Sequence, residues 1–297
     1  MRPDPTSLSL FVAVVEEGTI AAAGRREHLA AAAVSTRLRE LEERLGTKLL
    51  SRSNQGVLPT AAGQALLGLS RGVLHSLDEL VLRVAEYAGG ARGEVRVAAN
   101  ISAIAQWLPA EVGSFLAAHP AVRIHLKEMV SAGIIQAVAD NAADVGIFTP
   151  GPYGAGLETL PYHRDRLVVL VPRRHPLARK RGVRFIETLA FDFVGLHTGS
   201  AINLLLLKEA SERNATLRLR IQVTGYDALC RMVAAGLGVG ILPEALVSPF
   251  AGPLELKALR LEEAWAERQL RIGVRSLETL TPAARLFVDH LLPKASQ

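Results

Sequence analysis

Arginine and hydroxyl side chains cluster in one short stretch of the chain, where they could bind a polyanion. Arg37, Arg39 and Arg52 each offer a fork of N–H donors, which suits phosphate oxygens or the edge of a guanine. Ser35 and Thr36 add hydroxyl groups beside them. Alternatively, this is a solvated helix face whose arginines pair with nearby glutamates and whose hydroxyls bond back to the helix.

The positive charge of this stretch is local. The 297-residue chain carries a formal charge of +5. Residues 19–60 hold seven Lys/Arg and four Asp/Glu, a net of +3, whereas residues 1–90 hold ten of each. The charge alone is therefore only a weak indication of a polyanionic partner.

A second group of side chains lies where strand-like runs give way to helical runs. Ligands of open α/β sheets bind beyond the carboxyl ends of strands, against helix N-termini that favour anions. The alternative for each polar member is a helix cap that binds no ligand. The group comprises Asn100, Ser102, Ser131, Phe148, Thr149, His197, Ser200, Thr224 and Tyr226.

The residues that could support catalysis or bind metal are isolated. His197 has no nucleophile or set of metal ligands at a suitable spacing, and the other histidines are scattered. The single cysteine, Cys230, excludes an intramolecular disulfide and is better interpreted as a small buried residue than as a redox switch. In the Gly236–Gly240 run the third glycine comes too soon for a dinucleotide-binding loop and leads into a strand-like run, not a helix. We therefore predict no catalytic site, metal or cofactor.

The elements around the arginines predict a winged helix-turn-helix. Thr19 is placed to cap a short helix that ends near Arg26, and a second helix follows over residues 30–45 and is stopped by Gly46. Thr36 and Arg39 fall opposite its apolar face, which is formed by Val34, Leu38, Leu41 and Leu45. Residues 49–52 and 57–58 predict a hairpin with its turn at 53–56, which would be the wing.

A long helix is predicted from Thr60 to about Tyr87. At 1.5 Å per residue it would be about 40 Å long. One face carries an apolar stripe that favours a partner helix in a dimer, although packing against its own domain is the alternative. The stripe consists of Ala65, Leu66, Leu69, Val73, Leu77, Leu80, Val81 and Val84.

Strand-like and helical runs alternate in the remainder of the chain, after a small hinge at residues 88–93. This alternation predicts βαβ units on mostly parallel sheets. The strand-like runs are residues 94–98, 122–127, 144–148, 167–171, 193–196, 218–223, 239–242 and 269–274. The helical runs are residues 103–119, 132–141, 200–213, 226–236 and 279–292.

Fragments along the whole chain closely resemble LysR-type transcriptional regulators. They are Phe11–Ile20, Val34–Arg52, Pro59–Gly63, Leu108–Pro109, Asp144–Ile147, His175–Ala178 and Ala234–Pro243. The resemblance implies an α/β protein with an all-α winged helix-turn-helix domain (1–60), a linker helix and hinge (61–92) and a two-lobe effector-binding domain (93–297). The two lobes resemble those of periplasmic binding proteins. Lobe I would hold about 93–162 and 268–297, and lobe II about 163–267.

The recognition helix departs from the family pattern at its start. The family usually has Ser-Gln-Pro followed by Ala or Ser, whereas this chain has alanine at all four positions, 30–33. A polar cap and a base-reading amide are both missing, and alanine offers only a methyl group to a thymine. Recognition of the DNA bases would then depend on residues 35–39, on the wing or on DNA shape. The family also implies that the cap Thr60 contacts phosphate.

The expected partners are double-stranded DNA, a small organic anion as effector, and further copies of the chain as a dimer or tetramer. RNA polymerase is a further candidate. Asp4, Glu16 and Glu17 and the lack of a long apolar run argue against a signal peptide, so we expect a cytoplasmic protein that does not enter the membrane. A solute-binding protein and an enzyme on the same scaffold are the alternatives.

Overall fold

The computed structural model describes residues 3–53, 56–86, 93–151 and 156–292. Their buried apolar side chains form three main clusters, one before residue 68, one within residues 167–266, and one that joins residues 95–162 to residues 270–291. Among the described residues, no helix is long and apolar enough to cross a bilayer.

The first cluster lies inside the predicted helix-turn-helix. Helices α1 (Pro5–Glu17), α2 (Ile20–Arg26) and α3 (Ala31–Leu45) precede the hairpin β1 (Leu50–Ser53) and β2 (Gly56–Pro59). The Thr19 hydroxyl accepts a hydrogen bond from Ala22 N, and Gly46 ends α3 in the left-handed conformation. These observations confirm the predicted cap, the predicted stop and the hairpin. Helix α4 (Ala61–Glu86) then leaves the domain.

Strand β6 connects the two lobes of the second half. It spans 15 residues, pairs with β12 through Glu158–Arg166, and pairs with β10 and β11 through Leu167–Pro172. Lobe I here denotes the part built on the first half of β6 and lobe II the part built on its second half. The other strands are β3 (Gly93–Ala99), β4 (Val122–Glu128), β5 (Val145–Phe148), β7 (Gly182–Val183), β8 (Phe193–Leu196), β9 (Leu219–Val223), β10 (Gly240–Pro243), β11 (Leu256–Leu261) and β12 (Glu267–Val274).

Helices pack against the strands of both lobes. Those of lobe I are α5 (Ile101–Gln106), α6 (Leu108–Ala118), α7 (Ser131–Ala139) and α12 (Pro282–Leu291). Those of lobe II are α8 (Phe185–Thr188), α9 (Ala201–Glu212), α10 (Tyr226–Ala234) and α11 (Glu244–Ala251). The single helix predicted over 103–119 is wrong, since the chain breaks at Trp107 and Pro109 opens the next helix, where its missing N–H has no cost.

The prediction of mostly parallel sheets is only partly right. Strand β3 is parallel to β4 and β5, and β8 is parallel to β9. The centre is antiparallel, because β12 pairs with β5 and β6, and β6 also pairs with β10 and β11 in the antiparallel sense. The two lobes are therefore connected through antiparallel strands as well as through helical crossovers.

Helix α4 contacts lobe I as well as the DNA-binding unit. Arg71 donates to Glu16 at 2.8 Å, and its backbone carbonyl accepts from Asn141 Nδ2 at 3.0 Å. One turn further along, His75 lies 3.4 Å from Arg96, which forms a 2.6 Å ion pair with Asp144. The helix therefore links the two parts of the chain through polar contacts.

Candidate DNA-binding surface and inter-lobe cleft

Helix α3 presents the predicted polar face to the solvent. Val34, Leu38 and Leu41 are buried on its inner side, whereas Thr36, Arg37 and Arg39 are exposed and Ser35 is half-buried. Arg37 pairs with Asp4 at 3.6 Å, and not with a nearby glutamate of its own helix as the alternative interpretation supposed. Within the described residues, Arg39 forms no salt bridge. Its guanidinium group can therefore meet a phosphate or base without first losing an ion-pair partner.

The start of α3 lacks a side-chain cap. Ala30 occupies the capping position without a side-chain hydrogen bond, and the alanines at positions 30–33 are all exposed. The first N–H groups of the helix therefore have no capping side chain. Such N–H groups, together with the helix dipole, attract anions such as phosphate.

The wing is attached to α3 by one carboxylate. Glu42 accepts hydrogen bonds from the backbone N–H groups of Leu49 and Leu50 at 2.9 and 3.2 Å and pairs with Lys48 at 2.6 Å. Burial raises the pKa of Glu42, but these contacts outweigh it and hold the pKa below its ordinary value. The side chain of Arg52 and the turn at 54–55 lie outside the described residues.

Thr60 is a helix cap. Its hydroxyl oxygen accepts from Gly63 N at 3.0 Å, and its proton is donated to the Lys48 carbonyl at 2.7 Å. The hydroxyl proton is therefore already donated to a backbone carbonyl of the same domain. The phosphate contact implied by the family resemblance stays a prediction.

The apolar stripe of α4 divides into two parts. Leu66 of the stripe packs on the core of the helix-turn-helix, as do Leu67 and Leu74 of the same helix. Four later members follow at helical spacing and are exposed, namely Leu69 (69%), Val73 (48%), Leu77 (40%) and Leu80 (60%). The side chains of Val81 and Val84 lie outside the described part. An apolar ridge of this kind on a surface helix suits a partner subunit.

Six of the nine predicted effector residues line one cleft between the lobes. They are Asn100, Ser102, Ser131, His197, Ser200 and Tyr226. Ser102 of lobe I and Tyr226 of lobe II lie 2.9 Å apart, hydroxyl to hydroxyl, and close the cleft. The remaining space is about 20 Å³, and since a water needs roughly 10–15 Å³ on this measure, it holds little more than water.

Three helices aim their N-termini at this cleft. Helix α7 starts at Ser131, α9 follows Ser200, and α10 starts at Tyr226; none of the three has a side-chain capping bond. By contrast, Asn100 caps α5 with a 3.0 Å bond from Ala103 N. Converging helix N-termini favour negative charge. Glu128 lies at the rim and opposes this preference.

The other three predicted residues do not line the cleft. Phe148 points into lobe I, where its ring lies so close to Gly273 that a Cβ there would be 2.6 Å away. Thr149 lines a neighbouring pocket and accepts from Asn100 Nδ2 at 3.1 Å. Thr224 is exposed at the end of β9. The strand ends were placed correctly, but the sequence did not show which way these side chains point.

A buried ion pair beside the cleft was not predicted. Arg268 and Asp165 have side chains 4% and 3% exposed, and Arg268 donates to both carboxylate oxygens through Nε and Nη2. Nη2 also lies 3.5 Å from Ser102 Oγ. The alternation of side chains along β12 could have indicated that Arg268 is buried, because it lies on the same face as Leu270 and Ile272.

Cys230 is fully buried, as predicted, and desolvation raises the pKa of its thiol to about 11. The thiolate needed for redox chemistry is therefore scarce at neutral pH. In the described ranges, no three His, Cys, Asp or Glu side chains are grouped so that they could hold a metal ion.

Comparison with protein families assigns the two parts of the chain. Residues 5–64 match the bacterial regulatory helix-turn-helix protein of the lysR family, and residues 88–296 match the LysR substrate binding domain. The chain belongs to the LysR family. This LysR-type regulator therefore combines a DNA-binding domain with an effector-binding domain.

Sequence relatives of this LysR-type regulator are themselves regulators. It is 26% identical over 292 residues to the uncharacterized HTH-type transcriptional regulator YbhD of Escherichia coli, covering 98% of this chain and 92% of the relative. It is 28% identical over 295 residues to the RuBisCO operon transcriptional regulator of Allochromatium vinosum, with 98% and 96% covered.

Solved structures share its fold. A full-length OxyR variant from Pseudomonas aeruginosa matches with a TM-score of 0.76 at 20% identity, covering 98% of this chain and 95% of the other. CbnR complexed with target DNA matches with a TM-score of 0.65 at 24% identity and 97% and 98% coverage. The effector-binding domain of QuiR with shikimate matches with a TM-score of 0.61 at 21% identity, covering 68% of this chain and 96% of that domain.

Proposed function

We propose that this regulator binds double-stranded DNA as a dimer through α3 and the wing, and that a small organic anion in the inter-lobe cleft alters this binding. DNA binding is supported above all by the exposed face that Thr36, Arg37 and Arg39 form on a helix whose other side is buried. A recognition helix in this arrangement enters the major groove. We also infer a cytoplasmic location, because that is where its DNA target would lie.

The exposed ridge Leu69–Leu80 supports dimer formation. Its four apolar residues lie on the exposed face of α4, whereas Leu67 and Leu74 pack on the helix-turn-helix. Burying them against the same ridge of a second copy would pair two α3 helices on one face of the DNA, about one helical turn apart. Association of dimers into tetramers stays an expectation from the family.

The three helix N-termini at the cleft support an anionic effector. A carboxylate there would accept hydrogen bonds from the uncapped N–H groups near Ser131, Ala201 and Tyr226. The domain of QuiR, solved with shikimate, has the same fold. Because the cleft holds about 20 Å³ here, an organic acid must separate the lobes to enter. That movement would connect effector binding to the spacing of the DNA-binding domains.

Two experiments test the proposal in sequence. A gel shift with DNA from the intergenic region beside its gene should show a complex that resists unrelated competitor DNA. A thermal-shift screen of small organic acids should then raise the unfolding midpoint for at least one acid. An acid that binds while no DNA complex forms would favour a solute-binding protein. Chemical conversion of the acid would favour an enzyme.

A further inference from the structure

The net positive charge of the chain is concentrated in one short segment of lobe II. Residues 173–181 hold five Lys/Arg and no Asp/Glu, whereas the other 288 residues hold 29 of each. The formal charge of +5 of the whole chain therefore equals that of nine consecutive residues. All five basic side chains are exposed, namely Arg173, Arg174, Arg179, Lys180 and Arg181. Uncompensated like charges in so small an area create a positive potential that attracts anions.

The segment is fixed on the core of lobe II. Leu177 and Ala178 are buried and belong to the apolar cluster of that lobe. The backbone N–H of Arg173 donates to the carbonyl of Glu255 at 3.0 Å, and Pro176–Arg179 forms a turn of 3₁₀ helix. Strand β7 follows and pairs with β11. The basic side chains are thus attached to an ordered part of the fold, unlike those of a disordered basic tail.

Few acidic side chains offset this charge. Lys180 pairs with Glu187, and Arg184, the next basic residue along the chain, pairs with the same carboxylate at 3.8 Å. Glu255 and Glu262 lie beside the segment, but within the described residues neither forms a salt bridge with it. The same holds for the four arginines of the segment, which we call the basic patch: Arg173, Arg174, Arg179 and Arg181.

The chemistry of the basic patch favours a nucleic acid over an acidic protein. A guanidinium group offers a planar fork of N–H donors that matches two oxygens of a phosphate. Protein–protein interfaces have an apolar centre from which charged residues are depleted. The segment exposes no large apolar side chain, since Leu177 is buried and the exposed Ile186 lies outside it. Protein–DNA interfaces, by contrast, are polar and strongly positive.

We propose that the basic patch of lobe II is a second DNA-contacting surface, which binds the backbone phosphates of double-stranded DNA. The proposal rests on the DNA-binding function of this regulator, but it does not depend on α3 as the recognition helix. Phosphate contacts carry no base sequence information by themselves. Helix α3 would therefore supply sequence recognition, and the basic patch would add affinity that depends on salt and not on sequence.

Fluorescence anisotropy with a labelled duplex of random sequence tests the basic patch without an operator. The full chain carries Arg37→Ala and Arg39→Ala as a background, so that α3 contributes less to binding. Adding Arg174→Ser, Arg179→Ser and Arg181→Ser should weaken binding by about tenfold or more at about 50 mM salt. The plot of log affinity against log salt should also become shallower by about two units or more, because three phosphate contacts are lost.

Two matched variants separate local contacts from overall charge and from unfolding. The control changes three other exposed arginines to serine, and it should weaken binding by less than about threefold, although it removes the same charge. These three also lack a salt bridge among the described residues: Arg123, Arg231 and Arg275. Replacing the three patch arginines by lysine instead of serine should restore the salt dependence, since each lysine still neutralises one phosphate.

The outcomes distinguish this proposal from the assignment of α3. Equal affinity of the patch and control variants for the random duplex would overturn it, as would a background protein that does not bind the duplex at all. Labelled polyglutamate tests the acidic protein. If the patch variant lost affinity for polyglutamate and not for DNA, the partner would be a protein and the proposal would be wrong. A patch effect on random DNA without a specific complex on intergenic DNA would leave the basic patch standing and refute α3 as a sequence-reading helix.

Discussion

The hydroxyl groups of Ser102 and Tyr226 lie 2.9 Å apart and join lobe I to lobe II across the cleft. Both side chains are buried, and burial raises the pKa of Tyr226, so its hydroxyl stays protonated at neutral pH. The contact lies at the point where three helix N-termini meet. It therefore stabilises the closed arrangement that an entering ligand must change.

Breaking this contact should affect stability and the effector response together. Ser102→Ala and Tyr226→Phe should each lower the free energy of unfolding by about 0.5–1.5 kcal/mol, because each loses one partly compensated hydrogen bond. In a denaturant titration, the double variant should lose less than the sum of the two.

The effector response gives a separate test of Ser102. Ser102→Ala should weaken the response to whichever acid the thermal-shift screen identifies, and leave operator binding without ligand nearly unchanged. If it instead damages basal operator binding and does not alter acid affinity, Ser102 has only a structural role and the cleft assignment is wrong.

The exposed ridge of α4 should determine the oligomeric state. Leu69→Lys with Leu77→Lys places two charges on the proposed interface, and we expect monomers with little DNA affinity, since burying unpaired charge is costly. Light scattering measures the mass. The control pair, Ile186→Lys with Leu207→Lys, changes two other exposed apolar residues, both of lobe II. An unchanged mass for the α4 variant would show that the ridge is not the interface.

The contact between α1 and α4 should be sensitive to acid. Burial raises the pKa of Glu16, but hydrogen bonds from Arg71 and Arg26 at 2.8 Å outweigh it and hold the pKa below its ordinary value of 4.5. A lowered pKa means that this contribution to stability is present above pH 4.5 and is lost as the pH falls through the folded-state value.

Unfolding curves measured against pH test this contact. Glu16→Gln should lower stability at neutral pH and flatten the decline below pH 4.5. Glu17→Gln, whose partner Arg26 is 3.5 Å away at the surface, is the control and should leave the slope close to that of the unchanged protein. Equal slopes for Glu16→Gln and the unchanged protein would argue against the contribution of this pair.

Cys230 should be inert in the folded protein. With its thiol pKa raised to about 11 by burial, it should react with an aromatic disulfide reagent far more slowly than in the denatured chain. Release of the coloured thiolate measures the reaction. If the folded protein reacted as fast as the denatured one, Cys230 would not be buried as the structure places it.

The sequence predicted elements best where the hydrophobic pattern was regular. The helix-turn-helix followed from Thr19, Gly46 and the buried face of α3. By contrast, the sequence predicted only residues Leu167–Val171 of strand β6, which is 15 residues long. Its first half is polar and contains Pro161, which is tolerated because that half lies at the edge of the lobe I sheet. Strand β11 and helix α11 were missed altogether.

The candidate sites were predictable as positions and not as contacts. Strand ends and helix starts located Ser102, Ser131 and Ser200 at the cleft. Pairing between distant residues has no local signal, so the meeting of Ser102 with Tyr226 and of Arg268 with Asp165 became visible only in the structure. Phe148 was misplaced because the alternation along a short, fully buried strand does not reveal which face a side chain joins.

DNA binding measured against salt tests the central claim most directly. Fluorescence anisotropy with the intergenic DNA should give an affinity that falls linearly on logarithmic axes between about 50 and 200 mM salt, because each phosphate contact releases counterions. Arg37→Ala and Arg39→Ala should each weaken binding, and loss of a phosphate contact should make the slope shallower by about one unit. Arg184→Ala, an exposed arginine of lobe II, should match the unchanged protein. Affinity that is indifferent to salt, or equal for all three variants, would contradict the assignment of α3 as the DNA-binding element.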